Sequence, residues 1–211
     1  MPNKTMEYIK KHIKEHLLIY FLVALCFLIG ISVGAFTVKI INIHQKQELI
    51  AYLRGFFQLF SGSQLRGADI LKESLKNNLQ LLLLNWILGV IIIGLPVVFV
   101  IIGFKGFVIG FTVGLLIEEF KLYGGLLFLF SVLPQNMIYI PIFIYAAVLS
   151  IAHSLLVIKA KVSKQRSFSL SKQLGVFSGV HLGLALIIVA GSIIESFVVP
   201  FFLAIIVKFM L

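Results

Sequence analysis

Two long stretches of the chain carry no charge. Residues 17–38 read LLIYFLVALCFLIGISVGAFTV and residues 79–102 read LQLLLLNWILGVIIIGLPVVFVII. Each exceeds the roughly 20 apolar residues a helix needs to cross a hydrocarbon core about 30 Å thick, so each predicts a membrane-spanning helix. Apolar runs at 104–117 and 137–158 predict two more, with Glu118, Glu119 and Lys121 at the surface between them. The run 123–133, YGGLLFLFSVL, covers about half a membrane at 1.5 Å per residue and is expected to be a half-inserted or re-entrant helix. Residues 173–211 are too many for one span and too few for two with a loop, and Glu195 and Pro200 fall within them. Proline removes a backbone donor and breaks or kinks a helix. Either a span ends near Ile194 and a short helix returns, or one helix is interrupted, which makes five spans the first reading and six the second.

The polar segment 39–78 has a pattern of its own. In ELIAYLRGFFQLF (48–60), Leu49, Tyr52, Leu53, Phe56 and Phe60 recur at helical spacing on one face. Residues 69–77 predict a second short helix, with Asp69 near its start, where the helix dipole favours an acid. Two such amphipathic helices either lie on the bilayer surface or receive a partner.

Composition extends this picture to the whole chain. Of 211 residues, 60% are hydrophobic and 12% charged, with a mean hydropathy of +1.10; soluble domains are about half apolar and a quarter charged. The expected fold is all-α, a polytopic transmembrane bundle of about five spans forming one membrane domain over 1–211. The net charge of +10 flanks the apolar runs and forms no single basic face, so no nucleic-acid partner is expected. Lys4, Lys10, Lys11 and Lys14 in 1–16, and Lys159, Lys161, Lys164, Arg166 and Lys172 in 159–172, place both segments in the cytoplasm by the positive-inside rule. The same reading puts Lys105, in the short GFKG at 103–106, on the cytoplasmic side and 39–78 outside. The first run is longer than the h-region of a signal peptide and lacks an A-x-A site after it, so it reads as a retained anchor. The single cysteine, Cys26, allows no intrachain disulfide and reads as a small buried thiol.

Few residues suggest chemistry. Glycines recur every four positions as Gly30 and Gly34, as Gly106, Gly110 and Gly114, and as Gly175, Gly179 and Gly183. That spacing lines one helix face and lets backbones approach closely, within one chain or between two copies in a homodimer. Glu195 is an acid among apolar neighbours; at membrane depth it is a functional candidate, and otherwise it caps a broken helix beside Pro200. His181 precedes it by about 21 Å of helix and reads as packed. Pro134, Gln135 and Asn136 interrupt an apolar region, where irregular backbone persists only if buried in protein or facing water; they satisfy freed backbone groups or line a solute path. Asn85 and Trp86 read as packing and hydrogen-bonding residues, and Glu118 and Glu119 as a solvated outer turn. No H-E-x-x-H, G-x-S-x-G or P-loop is present, and no catalytic residue, metal or cofactor is expected.

The runs GLPVVFVIIGFKGFVIGFTVGLL (94–116), SVLPQNMIYIP (131–141) and IESFVVP (194–200), in this order, resemble the stage II sporulation protein M family of endospore-forming bacteria. The resemblance covers nearly the whole chain, and Pro134, Gln135, Asn136, Glu195 and Pro200 fall in its motifs. It implies a non-enzymatic protein of the cell membrane, at the sporulation septum and the engulfing mother-cell membrane. There it anchors and localises two peptidoglycan-degrading partners, stage II sporulation proteins D and P. On that expectation Phe56, Phe57 and Phe60 of the outer segment are candidate anchors for a partner. The competing class is a transporter or permease-like protein moving a small solute or lipid, with Glu195 and the Pro-Gln-Asn break lining its path.

Overall fold

A computed structural model of the chain describes residues 12–61, 67–91, 94–163 and 169–210, with backbone alone for 56, 59–61 and 207–210. The described chain is helical: α1 (Leu17–Ile40), α2 (Ile43–Ser61), α3 (Gly67–Val90), α4 (Gly94–Leu127), a π-helical turn (Phe128–Val132), α5 (Leu133–Val162) and α6 (Leu170–Met210). Three helical stretches are long and apolar enough to cross a membrane, Leu17–Ile40, Gly94–Val162 and Leu170–Ile206.

Two reversals shape the bundle, and each is closed by a glycine. The uncharged run 79–102 does not form one span: α3 ends at Val90 and α4 begins at Gly94. A Cβ on Gly94 would stand 2.1 Å from the Leu88 carbonyl oxygen, so only glycine lets the chain fold back there. Pro96 follows in the first turn of α4, where its missing N–H costs nothing. The second reversal lies inside α4 at Lys121, whose φ of 51° and ψ of −119° break the helix. Beyond it Gly124 lands on Leu116, with 1.9 Å between a Cβ and the carbonyl oxygen.

After Lys121 the chain runs on into α5, so 123–133 is the opening of a long helix and not a re-entrant piece. The π-helical turn, closed by Leu133 N–H on the Phe128 carbonyl, comes immediately before Pro134. The extra residue of a π turn accommodates the proline, and Pro134, Gln135 and Asn136 are helical, not irregular. Asn136 Nδ2 donates to the Val132 carbonyl at 2.7 Å. Residues 69–77 likewise belong to the longer α3. The expected break near Ile194 is absent: α6 continues through Pro200 for 41 residues, about 60 Å. Pro200 leaves the Ser196 carbonyl without its helical donor, and Gly67, the first residue of α3, lies against that oxygen.

Contacts fix the directions. Phe27, Ile31 and Ala35 of α1 meet Gly106, Gly110 and Gly114 of α4, so these two helices are parallel. Ser74, Asn85 and Gly89 of α3 meet Tyr139, Ser150 and Ser154 of α5, again in parallel. Ser192 and Phe177 of α6 meet the start and end of that pair, so α6 is antiparallel to both. Lys105 sits over Phe143, while Thr112 shares a cavity with Gln135, so α4 opposes α5. Thus α1, α4 and α6 run one way and α3 and α5 the other.

The core, with Val98, Ile102, Phe143, Ala146, Ile151 and Ile188, lies where these helices meet. Leu18, Phe21, Leu25 and Leu28 on the far side of α1 are exposed, as a lipid-facing surface requires. α2 closes the end at which α4 reverses. Its Phe57 packs with Leu116, Leu127 and Leu203, and Lys46 and Arg54 pair with Glu118 and Glu119, the latter at 2.6 Å. Those two acids are therefore bridges to α2 and not a freely solvated turn.

Candidate functional site

The helices α3, α4, α5 and α6 line a polar chamber of about 530 Å³ that is open on the α3 side. The first half of α3 builds one wall from two adjoining rows. Asp69, Glu73 and Asn77 recur every four residues on its exposed side, and Ser74 and Asn78 are buried beside them. Lys105 comes from α4, Gln135, Asn136 and Tyr139 from α5, and Glu195 from α6.

Glu195 is held by hydroxyls from two other helices. Its Oε2 accepts from Ser74 Oγ at 2.5 Å and from Tyr139 OH at 2.8 Å. Ser192 Oγ lies 2.9 Å from Ser74 Oγ and 3.0 Å from Tyr139 OH. A hydroxyl has one proton and two lone pairs, so Ser74 and Tyr139 can spend their protons on the carboxylate, and Ser192 can donate its single proton to one of the two. Hydrogen bonds to an ion are the stronger kind, and here they tie α3, α5 and α6 together at one point.

Lys105 is in the bundle and not at the cytoplasmic surface, which corrects the expectation for GFKG. At 1.5 Å per residue it stands about 17 Å along α4 from Gly94. Its Nζ lies 3.5 Å from Asn78 Oδ1 and 4.6 Å from the centre of the Phe143 ring. Asn78 donates its amide to the Ser74 carbonyl at 3.0 Å, which leaves its oxygen for the lysine. An adjoining apolar chamber of about 260 Å³ shares Thr112, Gln135 and Glu195 and ends on Leu53, Phe57 and Leu203 under α2. At the junction Gln135 Oε1 and Ser131 Oγ are buried with no hydrogen-bond partner among the described residues.

The residues singled out in the sequence separate accordingly. Glu195, Gln135 and Asn136 meet in this chamber, with Pro134 packed near Glu195, while Pro200 serves the end of α3. Gly106, Gly110 and Gly114 pack on α1, whereas a Cβ on Gly175, Gly179 or Gly183 meets nothing within 4 Å among the described residues. Phe57 is 3% exposed and faces inward, so it is not available as a partner anchor; the side chains of Phe56 and Phe60 lie outside the described residues. His181 is buried, with Nδ1 on the Phe177 carbonyl at 3.0 Å. Trp86 Nε1 donates to Ser178 at 3.0 Å, and Asn85 Nδ2 to the Leu81 carbonyl at 3.1 Å.

Sequence reading missed Ser74, Asn78, Lys105 and Tyr139. The available signal was the four-residue spacing of polar groups from Asp69 to Asn78, which marks one side of a helix entering the membrane.

A helical membrane protein with a half-buried charged site between its helices is the class that fold and site define. Over residues 23–200, which include every side chain of the chamber, the chain matches the family model of stage II sporulation protein M, and it belongs to that family. It is thus a membrane protein of a sporulation family. No curated protein and no solved structure matches it.

Proposed function

We propose that the protein is a membrane scaffold that crosses the bilayer five times, catalyses no reaction, and anchors peptidoglycan-degrading partners at the septum during forespore engulfment. The observation that carries this reading is the family match across 23–200, and the partners it suggests are stage II sporulation proteins D and P. The alternating directions of α1, α3, α4, α5 and α6 support five crossings. In this reading α2 and the Lys121 reversal share the outer end, where two ion pairs and the buried Phe57 hold α2 to the bundle as a fixed platform. With Phe57 turned inward, the docking residues are the exposed Ile43 and Tyr52.

The test is capture of the tagged chain in mild detergent from sporulating cells, followed by mass spectrometry. The reading expects peptidoglycan hydrolases to be enriched over an unrelated tagged membrane protein. It also expects the Ile43→Ser, Tyr52→Ser double variant to lose them while remaining in the membrane. If crosslinked cells yield no hydrolase, the scaffold reading is overturned. One observation favours a second reading, a transporter or permease-like protein: the chamber holding Lys105 and Glu195. A proton-coupled transporter would be abolished by Glu195→Gln, whereas a scaffold would keep its partners.

A further inference from the structure

A scaffold has no need of two charges inside its bundle, and the way these two are held is informative. Desolvating a lysine and a glutamate is costly, and a direct contact between them is the usual compensation. Lys105 and Glu195 line the same chamber, yet among the described residues no direct ion pair joins them. Glu195 gives Oε2 to Ser74 and Tyr139. Lys105, which has three N–H donors, reaches a neutral amide oxygen at 3.5 Å and the face of Phe143. The opposite charges are thus each supported by neutral groups and held apart.

Register along α3 gives the offset. Glu195 is level with Ser74 and Lys105 with Asn78, one turn apart, which is about 6 Å along the bundle axis. That offset is one of backbone levels, since the Asn78 amide reaches back to within 3.3 Å of Ser74 Oγ. A molecule carrying an anionic group and an ammonium a few bonds apart can bridge the two charges from within the cavity, with a charge-assisted hydrogen bond of about 2.8 Å at each end. The chamber's 530 Å³ falls in the range of small-molecule sites, about 300–1,000 Å³. Near Glu195, Gln135 Oε1 is a buried acceptor without a donor among the described residues, a second point for an ammonium. On the other side the apolar chamber of 260 Å³ continues from Gln135 and Glu195. Asp69 and Glu73 stand on the exposed wall, so a simple anion approaching Lys105 meets three carboxylates, while a simple cation in the chamber meets Lys105.

We propose that this chamber is a binding site for a small zwitterion. Its acidic group sits on Lys105, its ammonium on Glu195 and Gln135 Oε1, and an apolar substituent extends toward Leu53 and Leu203. Free α-amino acids and phosphoethanolamine lipid head groups share this chemistry. The site is independent of the scaffold role.

The experiment is thermal unfolding of the purified full chain in detergent. The probes are the common L-α-amino acids, N-acetyl-leucine, leucine methyl ester, and dihexanoyl phosphatidylethanolamine and phosphatidylglycerol. The midpoint is expected to rise with at least one doubly charged probe and with none of the singly charged controls. A rise with amino acids alone assigns a free solute, and one with phosphatidylethanolamine alone assigns a lipid head. Lys105→Gln and Glu195→Gln are each expected to weaken binding roughly ten- to hundredfold, the effect of losing a hydrogen bond to a charged group. If either variant is not monodisperse, Tyr139→Phe, which keeps the ring and takes one donor from Glu195, is expected to weaken binding in the same direction. The proposal is overturned if no doubly charged probe raises the midpoint, if the controls do so equally, or if the well-folded variants bind like the parent. Hydrolase capture without zwitterion binding overturns the site alone, and binding without capture overturns the scaffold alone.

Discussion

The glycine rows of α4 and α6 look the same in sequence and have opposite fates. Gly106 and Gly110 lie against the backbone of α1, where a Cβ would stand 2.3 Å from the Phe27 oxygen and 2.0 Å from the Ile31 oxygen. Gly30 and Gly34 answer from the other side, at 2.0 Å from the Gly103 oxygen and 2.1 Å from the Phe107 oxygen. The two backbones touch because neither side carries a side chain there, and packing of this kind is a main source of helix association where lipid replaces water. A Cβ on Gly175, Gly179 or Gly183 meets no neighbour within 4 Å among the described residues. Spacing of four therefore identifies a face that can be approached, but not whether anything in the chain approaches it.

The largest effect is expected from filling the α4 row. Gly110→Leu places a side chain where backbone already sits, and overpacking costs typically about 1–3 kcal/mol. A marked fall in the thermal midpoint in detergent is expected, with Gly110→Ala falling less. An unchanged midpoint would mean that α1 and α4 do not touch as described. In a Cys26→Ser background, a cysteine pair at Ala35 and Gly114 is expected to crosslink within one chain, because the Gly114 Cβ direction points at Ala35 with a Cβ-to-Cα distance of 3.3 Å. A single cysteine at Gly179 is expected to stay monomeric on a non-reducing gel. A dimer band would show that a second copy covers the α6 row.

Of opposite sign, Gly179→Ala is expected to stabilise by up to about 1 kcal/mol, since glycine in an uncrowded helix interior costs that much relative to alanine. A loss of stability would again point to a covering helix. The smallest effect lies at the far end, at His12. Burial, with His16 beside it, holds its pKa below the ordinary 6.5, while Glu15 acts the other way. The folded state thus binds the proton less readily than the unfolded chain. The associated stability is full above pH 6.5 and declines as pH falls below it. A midpoint measured across that window should slope gently downward toward acid, and His12→Phe should flatten the slope.

The polar chamber was less legible than the helices around it. Glu195 stood out because an acid among apolar neighbours is conspicuous. Lys105 did not, because the positive-inside rule reads a lysine between two apolar runs as a surface marker, and a half-buried lysine within the bundle gives the same signal. Ser74 and Tyr139 meet Glu195 from 121 and 56 residues away, a distance that local patterning cannot bridge. Phe57 is a similar case. It lies off the face that Leu49, Tyr52, Phe56 and Phe60 mark, and nothing local in α2 says that Leu116, Leu127 and Leu203 cover it. The unbroken α6 shows the converse error. Proline was weighed for the donor it removes, while the Gly67 backbone that lies against the freed carbonyl is far away in the chain.

By itself the sequence determined that this chain is helical and membrane-embedded, which faces of its helices are smooth, and that its motifs are those of a sporulation family. These properties depend on hydropathy and on spacing within a few residues, which are local quantities. Only the tertiary structure decided that the run 79–102 folds back at Gly94 and that one glycine row is filled while its twin meets no neighbour among the described residues. It also decided that a lysine and a glutamate from different helices share one chamber without touching. Each of these depends on which distant backbone occupies a given space, and packing of that kind is a property of the assembled bundle.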